Sequence, residues 1–103
     1  MNFYHITTPE QWAKFKDYNF FEAESLATEG FIHGSYAGQL DETLALHYKN
    51  VPQVFLLDIN PSRLRIELKV ETSRGGVFFP HIYGQMNKSA IDRIVIRDLP
   101  VEK

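Results

Sequence analysis

Three of the four histidines sit in short apolar segments rich in aromatic, small and hydroxyl residues: Phe3-Tyr4-His5-Ile6-Thr7, Gly30-Phe31-Ile32-His33-Gly34-Ser35 and Phe79-Pro80-His81-Ile82-Tyr83-Gly84. An imidazole within or at the end of a buried strand loses water and needs a partner, so three such placements point to one shared polar cleft. By period-two alternation His5 shares a strand face with Phe3 and Thr7, which would set a substrate-positioning donor beside a hydroxyl; the plainer reading has its ring N–H on a backbone carbonyl. His33 and Ser35 point the same way as Phe31, where a strand gives way to a helix whose free N–H groups suit a phosphate or carboxylate. Ser35 could instead be only the N-cap. His81, restrained by the preceding proline, and Tyr83, beside Gly84, read as the rim or floor of a pocket. Glu71 ends an alternating strand as a solvated carboxylate, with general base or ribose anchor as its rival role. His47, at the edge of a helical stripe, reads as a surface residue.

Two other chemistries fit less well. His5, His33, His81 and Glu71 are ligand types that zinc accepts, but no HxH or HxxxH pair presets their geometry. A serine hydrolase would need Ser35 in a GxSxG elbow, and it is not in one.

The elements that must position these residues read as follows. Phe3 to Ile6 is a strand, stopped by Thr7-Thr8-Pro9-Glu10-Gln11, where Thr8 is an N-cap, Pro9 suits the first helical position and Gln11 completes a capping box. Trp12 and Phe15 form the buried stripe of that helix, which ends near Tyr18-Asn19. Residues 20–29 have weak periodicity and read as a short strand or an irregular surface segment. A strand at Phe31-Ile32-His33 leads to a helix with Leu40, Leu44, Ala45 and Tyr48 on one face. Val54 to Ile59 is the most apolar strand and so the central one, closed by the Asn60-Pro61-Ser62 turn. Leu64 to Glu71 alternates with its apolar residues at even numbers, including Ile66, Leu68 and Val70. Phe78 and Phe79 resume the core, a short helical or turn segment lies around Asn87 to Ala90, and Arg93 to Arg97 is the last strand. The sum is a single α+β domain over residues 1–103, a split antiparallel or mixed sheet of about five or six strands with two main helices. Gly30, Gly34 and Gly38 do not form GxGxxG, so a Rossmann reading fails.

Composition narrows the function. Eleven Lys plus Arg against thirteen Asp plus Glu, with the positive residues scattered, leave no basic surface for DNA. No segment approaches the roughly 20 apolar residues of a membrane span, and no basic region precedes a long apolar run at the N-terminus, so the expectation is a cytoplasmic protein without a membrane partner. Cysteine is absent, which removes disulfides, thiolate metal sites and cysteine nucleophiles.

Tyr4-His5-Ile6-Thr7, the block from Ser25 to Ser35, and Phe79-Pro80-His81-Ile82-Tyr83-Gly84 resemble the three signature blocks of the bacterial family called domain of unknown function 952. That family in turn resembles a compact ADP-ribosyltransferase fold, a split β-sheet enclosing an NAD cleft, which also includes RNA 2'-phosphotransferases. The resemblance implies that His5 holds the nicotinamide-side ribose of NAD and that His33 takes the place of the residue stacking on the nicotinamide ring. The usual third member, a glutamate on a late strand, has Glu71, His81 and Tyr83 as candidates and no motif that selects among them.

Two functions follow from different classes. One is a small enzyme on NAD, ADP-ribose or a phosphorylated nucleotide, with His5, His33, Glu71 and His81 catalytic and Thr7, Ser25, Ser35 and Tyr83 on the ligand. The other is a non-catalytic module that binds a nucleotide-like small molecule in the same cleft. NAD enters as a substrate rather than a resident cofactor, the acceptor is open, and the expected state is a monomer or weak dimer.

Overall fold

Strand-forming residues at the N-terminus build β1 (Phe3–Thr7), and Thr8 ends it by capping α1 (Pro9–Ala13), its hydroxyl accepting from the Gln11 amide at 3.1 Å. The computed structural model describes residues 1–73 and 75–101. Half of the expected capping box forms: the Gln11 side chain reaches instead to the Glu22 carbonyl at 3.0 Å, tying α1 to the segment after β2 (Phe20–Phe21). Residues expected to be irregular then form α2 (Glu24–Glu29). Gly30 ends it in the left-handed conformation at φ 88°, its N–H bonding back to Ser25 and Leu26 carbonyls, a stop that glycine adopts without steric cost.

After β3 (Ile32–His33), one 3-10 turn leads into α3 (Leu40–His47), where Leu40 and Leu44 are buried, Tyr48 is half-buried and Ala45 is exposed. The remaining strands are β4 (Gln53–Ile59), β5 (Leu68–Thr72), β6 (Phe78–Ile82), β7 (Met86–Asn87) and β8 (Ile91–Asp98). The alternating stretch from Leu64 thus enters a strand only at Leu68. Its first residues follow the Pro61–Arg63 turn, and Asn87 holds them by accepting from the Arg65 amide.

All strand pairs are antiparallel and fall into three sheets, ordered β1-β4-β8, β2-β7 and β3-β6-β5. As expected, β4 is central, with Val54, Leu56, Leu57 and Ile59 all fully buried. One core lies between the sheets, built from Phe3, Phe21, Ile32, Leu57, Ile59, Ile82 and Met86. A second lies between β4 and α3, built from Ile6, Leu40, Leu44, Val54 and Leu56. Two residues read as core are exposed, Val70 at 50% and Phe78 at 57%: β5 is an edge strand of its sheet, and Phe78 pairs with Thr72 at the far end of the ladder.

The seam between the two larger sheets fixes the site. Ser35 exchanges both backbone hydrogen bonds with Tyr4 of β1 at 2.7 Å, while the neighbouring Gly34 amide donates to Pro80 of β6 at 2.8 Å. A side chain at Gly34 would meet Phe3, Pro80 and the Pro80 carbonyl at 2.8 to 2.9 Å, so only glycine lets the chain pass between the sheets. The result is a small, compact α+β domain of antiparallel strands with few helices. Among the described residues no helix is long and apolar enough to cross a membrane.

Candidate functional site

The seam brings the three histidine segments together. His5, Thr7, Ser25, Phe31, His33, Ser35 and His81 all line one open cleft of about 1320 Å³. A smaller hollow of about 500 Å³, between α3 and the end of β8, contains none of these residues.

His5 is 6% exposed and its Nδ1 lies 2.6 Å from the His33 carbonyl. A carbonyl only accepts, so Nδ1 carries the proton and a neutral ring leaves Nε2 with a lone pair. Burial drives its pKa from 6.5 to about 4, outweighing the carbonyl bond, which alone would raise it. The plain sequence reading, a ring N–H on a backbone carbonyl, is therefore what forms, and it leaves the other nitrogen for the cleft. No side-chain partner for Nε2 exists among the described residues.

His33 pairs directly with His81 across β3 and β6, and the two rings meet edge to face with centroids 5.5 Å apart. Its Nε2 is 2.9 Å from Glu29, both side chains about half exposed. Phe31 stacks on His81 at 4.1 Å with the ring planes 24° apart.

Lys69 pairs with His81 in the β5–β6 ladder, which makes Glu71 the diagonal neighbour of His81 on the same face. Its carboxylate lies 2.9 Å from His81 Nδ1 and also accepts a short hydrogen bond from the Tyr83 hydroxyl. The tyrosine bond first, and the histidine bond next, hold the Glu71 carboxyl below the usual carboxylate range; the same bond holds the Tyr83 phenol above its usual range. Glu71 does lie opposite the core face of β5, as the alternation required. That face does not carry a lone solvated carboxylate, because it continues onto His81 at the cleft wall. With Nδ1 committed to Glu71, His81 Nε2 has no hydrogen-bond partner among the described residues, and the residue is 8% exposed.

The remaining expected residues sort by what their hydroxyls do. Ser25 donates to the Phe31 carbonyl at 2.8 Å and so fixes the chain between α2 and β3. Thr7 and Ser35 are 4% and 5% exposed, line the cleft, and make no side-chain hydrogen bond among the described residues. Ser35 is not the N-cap of the following helix: that position falls to Tyr36, whose amide donates to Gln39 Oε1 at 2.9 Å. Nor is the start of that helix a ready anion site, since the first turn of α3 carries Asp41 and Glu42. Among the described residues no three of His, Asp and Glu are placed to hold a metal ion, because the imidazoles spend nitrogens on Glu29, Glu71 and a carbonyl.

Three lining residues escaped the sequence reading. Glu29 was invisible as a partner for His33 because the helix ending at Gly30 was not recognised, although glycine after a polar run is the usual signal for such a stop. Phe31, which alternation sets on the same side as His33, lines the cleft although no role was assigned to it. His47 was set aside as a surface residue; it is exposed, yet it lies on the cleft wall with Thr43 and Tyr48.

Similarity to known proteins agrees with this picture at the level of family and fold. The family described as protein of unknown function (DUF952) matches residues 6–94. The crystal structure of protein CC0527 from Caulobacter crescentus is 33% identical, with a TM-score of 0.88 over 97% of this chain and 89% of that one. Its solution NMR structure gives 33% identity and a TM-score of 0.81 over 96% and 86% of the two chains. No curated protein matches. The sequence blocks that meet at the seam lie mostly within the matched region, and the relative reproduces the fold around them: the chain belongs to the DUF952 family.

Proposed function

We propose that the protein is a small enzyme of ADP-ribosyl-transfer type that takes NAD as its substrate in the three-histidine cleft. One observation favours an enzyme over a bare binding module: His81, buried at the cleft wall, has its Nδ1 held by Glu71 and, among the described residues, no partner for its Nε2. A carboxylate behind an imidazole fixes the tautomer and stabilises the imidazolium, which is how a side chain is prepared to take a proton.

In this reading the Nε2 of His5 accepts a hydrogen bond from a ribose hydroxyl, with the Thr7 and Ser35 hydroxyls beside it. Phe31 and His33 offer ring surface to the nicotinamide. As the glycosidic bond breaks, nicotinamide leaves with the electron pair and the ribose gains oxocarbenium character; His81 takes the proton of the attacking acceptor, and Glu71 acts through it. The seam between two three-stranded sheets supports the reading, being the split-sheet arrangement that the resemblance implies.

The test is a thermal-shift titration with NAD together with an assay of free nicotinamide. Saturating NAD, at about 100 times its dissociation constant, should add roughly 2.7 kcal/mol to stability in the wild type. His5→Ala should lose that gain. His81→Gln should keep binding and lose nicotinamide release. Binding without release by the wild type would establish the non-catalytic module, and no binding would exclude NAD.

A further inference from the structure

We infer that the cleft selects its ligand by positive charge: the group it takes is a planar organic cation of the N-glycosyl pyridinium type, and any phosphates attached to it stay outside. The choice of pyridinium rests on the NAD reading; the charge preference rests on the walls of the cleft. Glu10, Glu24, Glu29 and Glu42 line it, against a single ammonium, Lys14, among the described residues. The four carboxylates come from the first turn of α1, the two ends of α2 and the first turn of α3, so three helices contribute them to the wall. The imidazoles do not cancel the rest: His5 is neutral, His33 lies against Glu29 and offsets that carboxylate alone, and His81 lies against Glu71, so Glu10, Glu24 and Glu42 stand against Lys14. A cleft of one sign with low-dielectric walls focuses its field, drawing in cations and repelling a pyrophosphate.

A collar of carboxylates alone would be no more than a solvated rim. Here it surrounds groups that are buried and unused. Thr7, Ser35 and His5 are each more than nine-tenths buried as residues and line the cleft, and the two hydroxyls and the His5 Nε2 lack side-chain partners among the described residues. No fully buried side-chain N or O is left unpaired among the described residues, so these three atoms open onto the cleft, where a ligand hydroxyl can take the place of water. Beside them the stacked Phe31 and His81 rings supply flat aromatic surface, which attracts a delocalised cation more than a neutral ring. The cleft therefore offers three features that fit one ligand half: negative walls for a cationic ring, ring surface to stack on it, and hydrogen-bonding groups for a sugar.

Calorimetric titration with four probes separates the terms: nicotinamide riboside, which has the cation and no phosphate; ADP-ribose, which has the phosphates and no cation; NAD; and NADH, whose ring is neutral. The riboside should bind, and ADP-ribose and NADH should bind at least about tenfold more weakly than NAD. Raising salt from about 0.05 M to about 0.5 M should weaken the riboside, because the carboxylates are exposed to screening. The double variant Glu24→Gln/Glu42→Gln should weaken it about tenfold with an unchanged melting temperature, both residues lying on exposed first turns. Binding of ADP-ribose as tight as that of NAD, with no binding of the riboside, would overturn the charge preference and leave the NAD reading standing. Binding of the riboside without NAD would do the reverse, and silence from all four would remove both.

Discussion

The two three-stranded sheets use the same antiparallel geometry for opposite purposes. In β1-β4-β8 the central strand is covered on both faces, by the inter-sheet core on one side and by α3 on the other, and Leu56 and Leu57 are within 1% of complete burial. In β3-β6-β5 only one face is packed: Ile32 and Ile82 enter the core, while Phe31, His33, Glu71, His81 and Tyr83 lie on or beside the other. Each sheet also holds an acid, and the acids differ in the same sense. Asp58 is 7% exposed and accepts from Asn2 and Arg93, both at 2.9 Å, so its bonds end within the scaffold. The bonds of Glu71 lead to the cleft. A strand covered on two faces supplies stability, and one covered on a single face can present chemistry to a ligand.

The contrast is broken most directly by truncating matched apolar residues. Leu57→Ala leaves a cavity where the sheet meets the inter-sheet core, and should cost about 2–5 kcal/mol in denaturant unfolding. Val70→Ala, on a half-exposed strand of the other sheet, should cost under about 1 kcal/mol. Equal losses would mean that the second sheet carries as much of the stability as the first.

His5 sits where the two sheets join, and its effect is read by pH. In the unfolded chain its pKa is 6.5 and in the fold about 4, so between these values the unfolded state binds more protons. The stabilising share is complete above 6.5 and is lost as pH falls through 4, amounting to roughly 3 kcal/mol at most. Wild type should therefore lose more stability across this window than His5→Asn, which has nothing to protonate there. Equal pH slopes for the two proteins would mean that His5 is not the buried neutral donor to the His33 carbonyl.

Legibility in the sequence follows the same division. Strand β4 was readable from its unbroken apolar run, and the start of α1 from Thr8 and Pro9, because burial on two faces and capping leave local marks. Val70 and Phe78 obeyed the alternation and still lie exposed, since alternation tells which face a residue joins and not whether anything covers that face on an edge strand or at the end of a ladder. Helix α2 is short and buries no residue completely, so it lacks the stripe that signals a helix. The histidine segments were recognisable one by one as polar residues in apolar runs. Their convergence depends on Ser35 bridging Tyr4 and on Gly34 passing under Phe3, contacts between distant residues that spacing along the chain does not encode. The pairing of Glu71 with His81 needed the register of β5 against β6, which a loop of any other length would have shifted.

The smallest effect sharpens the comparison between the two acids. Asp58→Asn puts an amide donor among groups that donate to it, Asn2 and Arg93, in a setting nearly closed to water, and should cost about 1–3 kcal/mol. Glu71→Gln keeps an oxygen that can accept from Tyr83 or from His81, and the side chain is 40% exposed, so the melting temperature should not move. What should change is titration. The carboxylate is what holds the Tyr83 phenol above its usual range, so in Glu71→Gln that phenol should ionise at lower pH than in the wild type, followed by NMR of the tyrosine ring. A shift without destabilisation would identify Glu71 as a residue kept for the charge it places behind the cleft. A lowered melting temperature with an unmoved phenol would make it a second Asp58, committed to the scaffold.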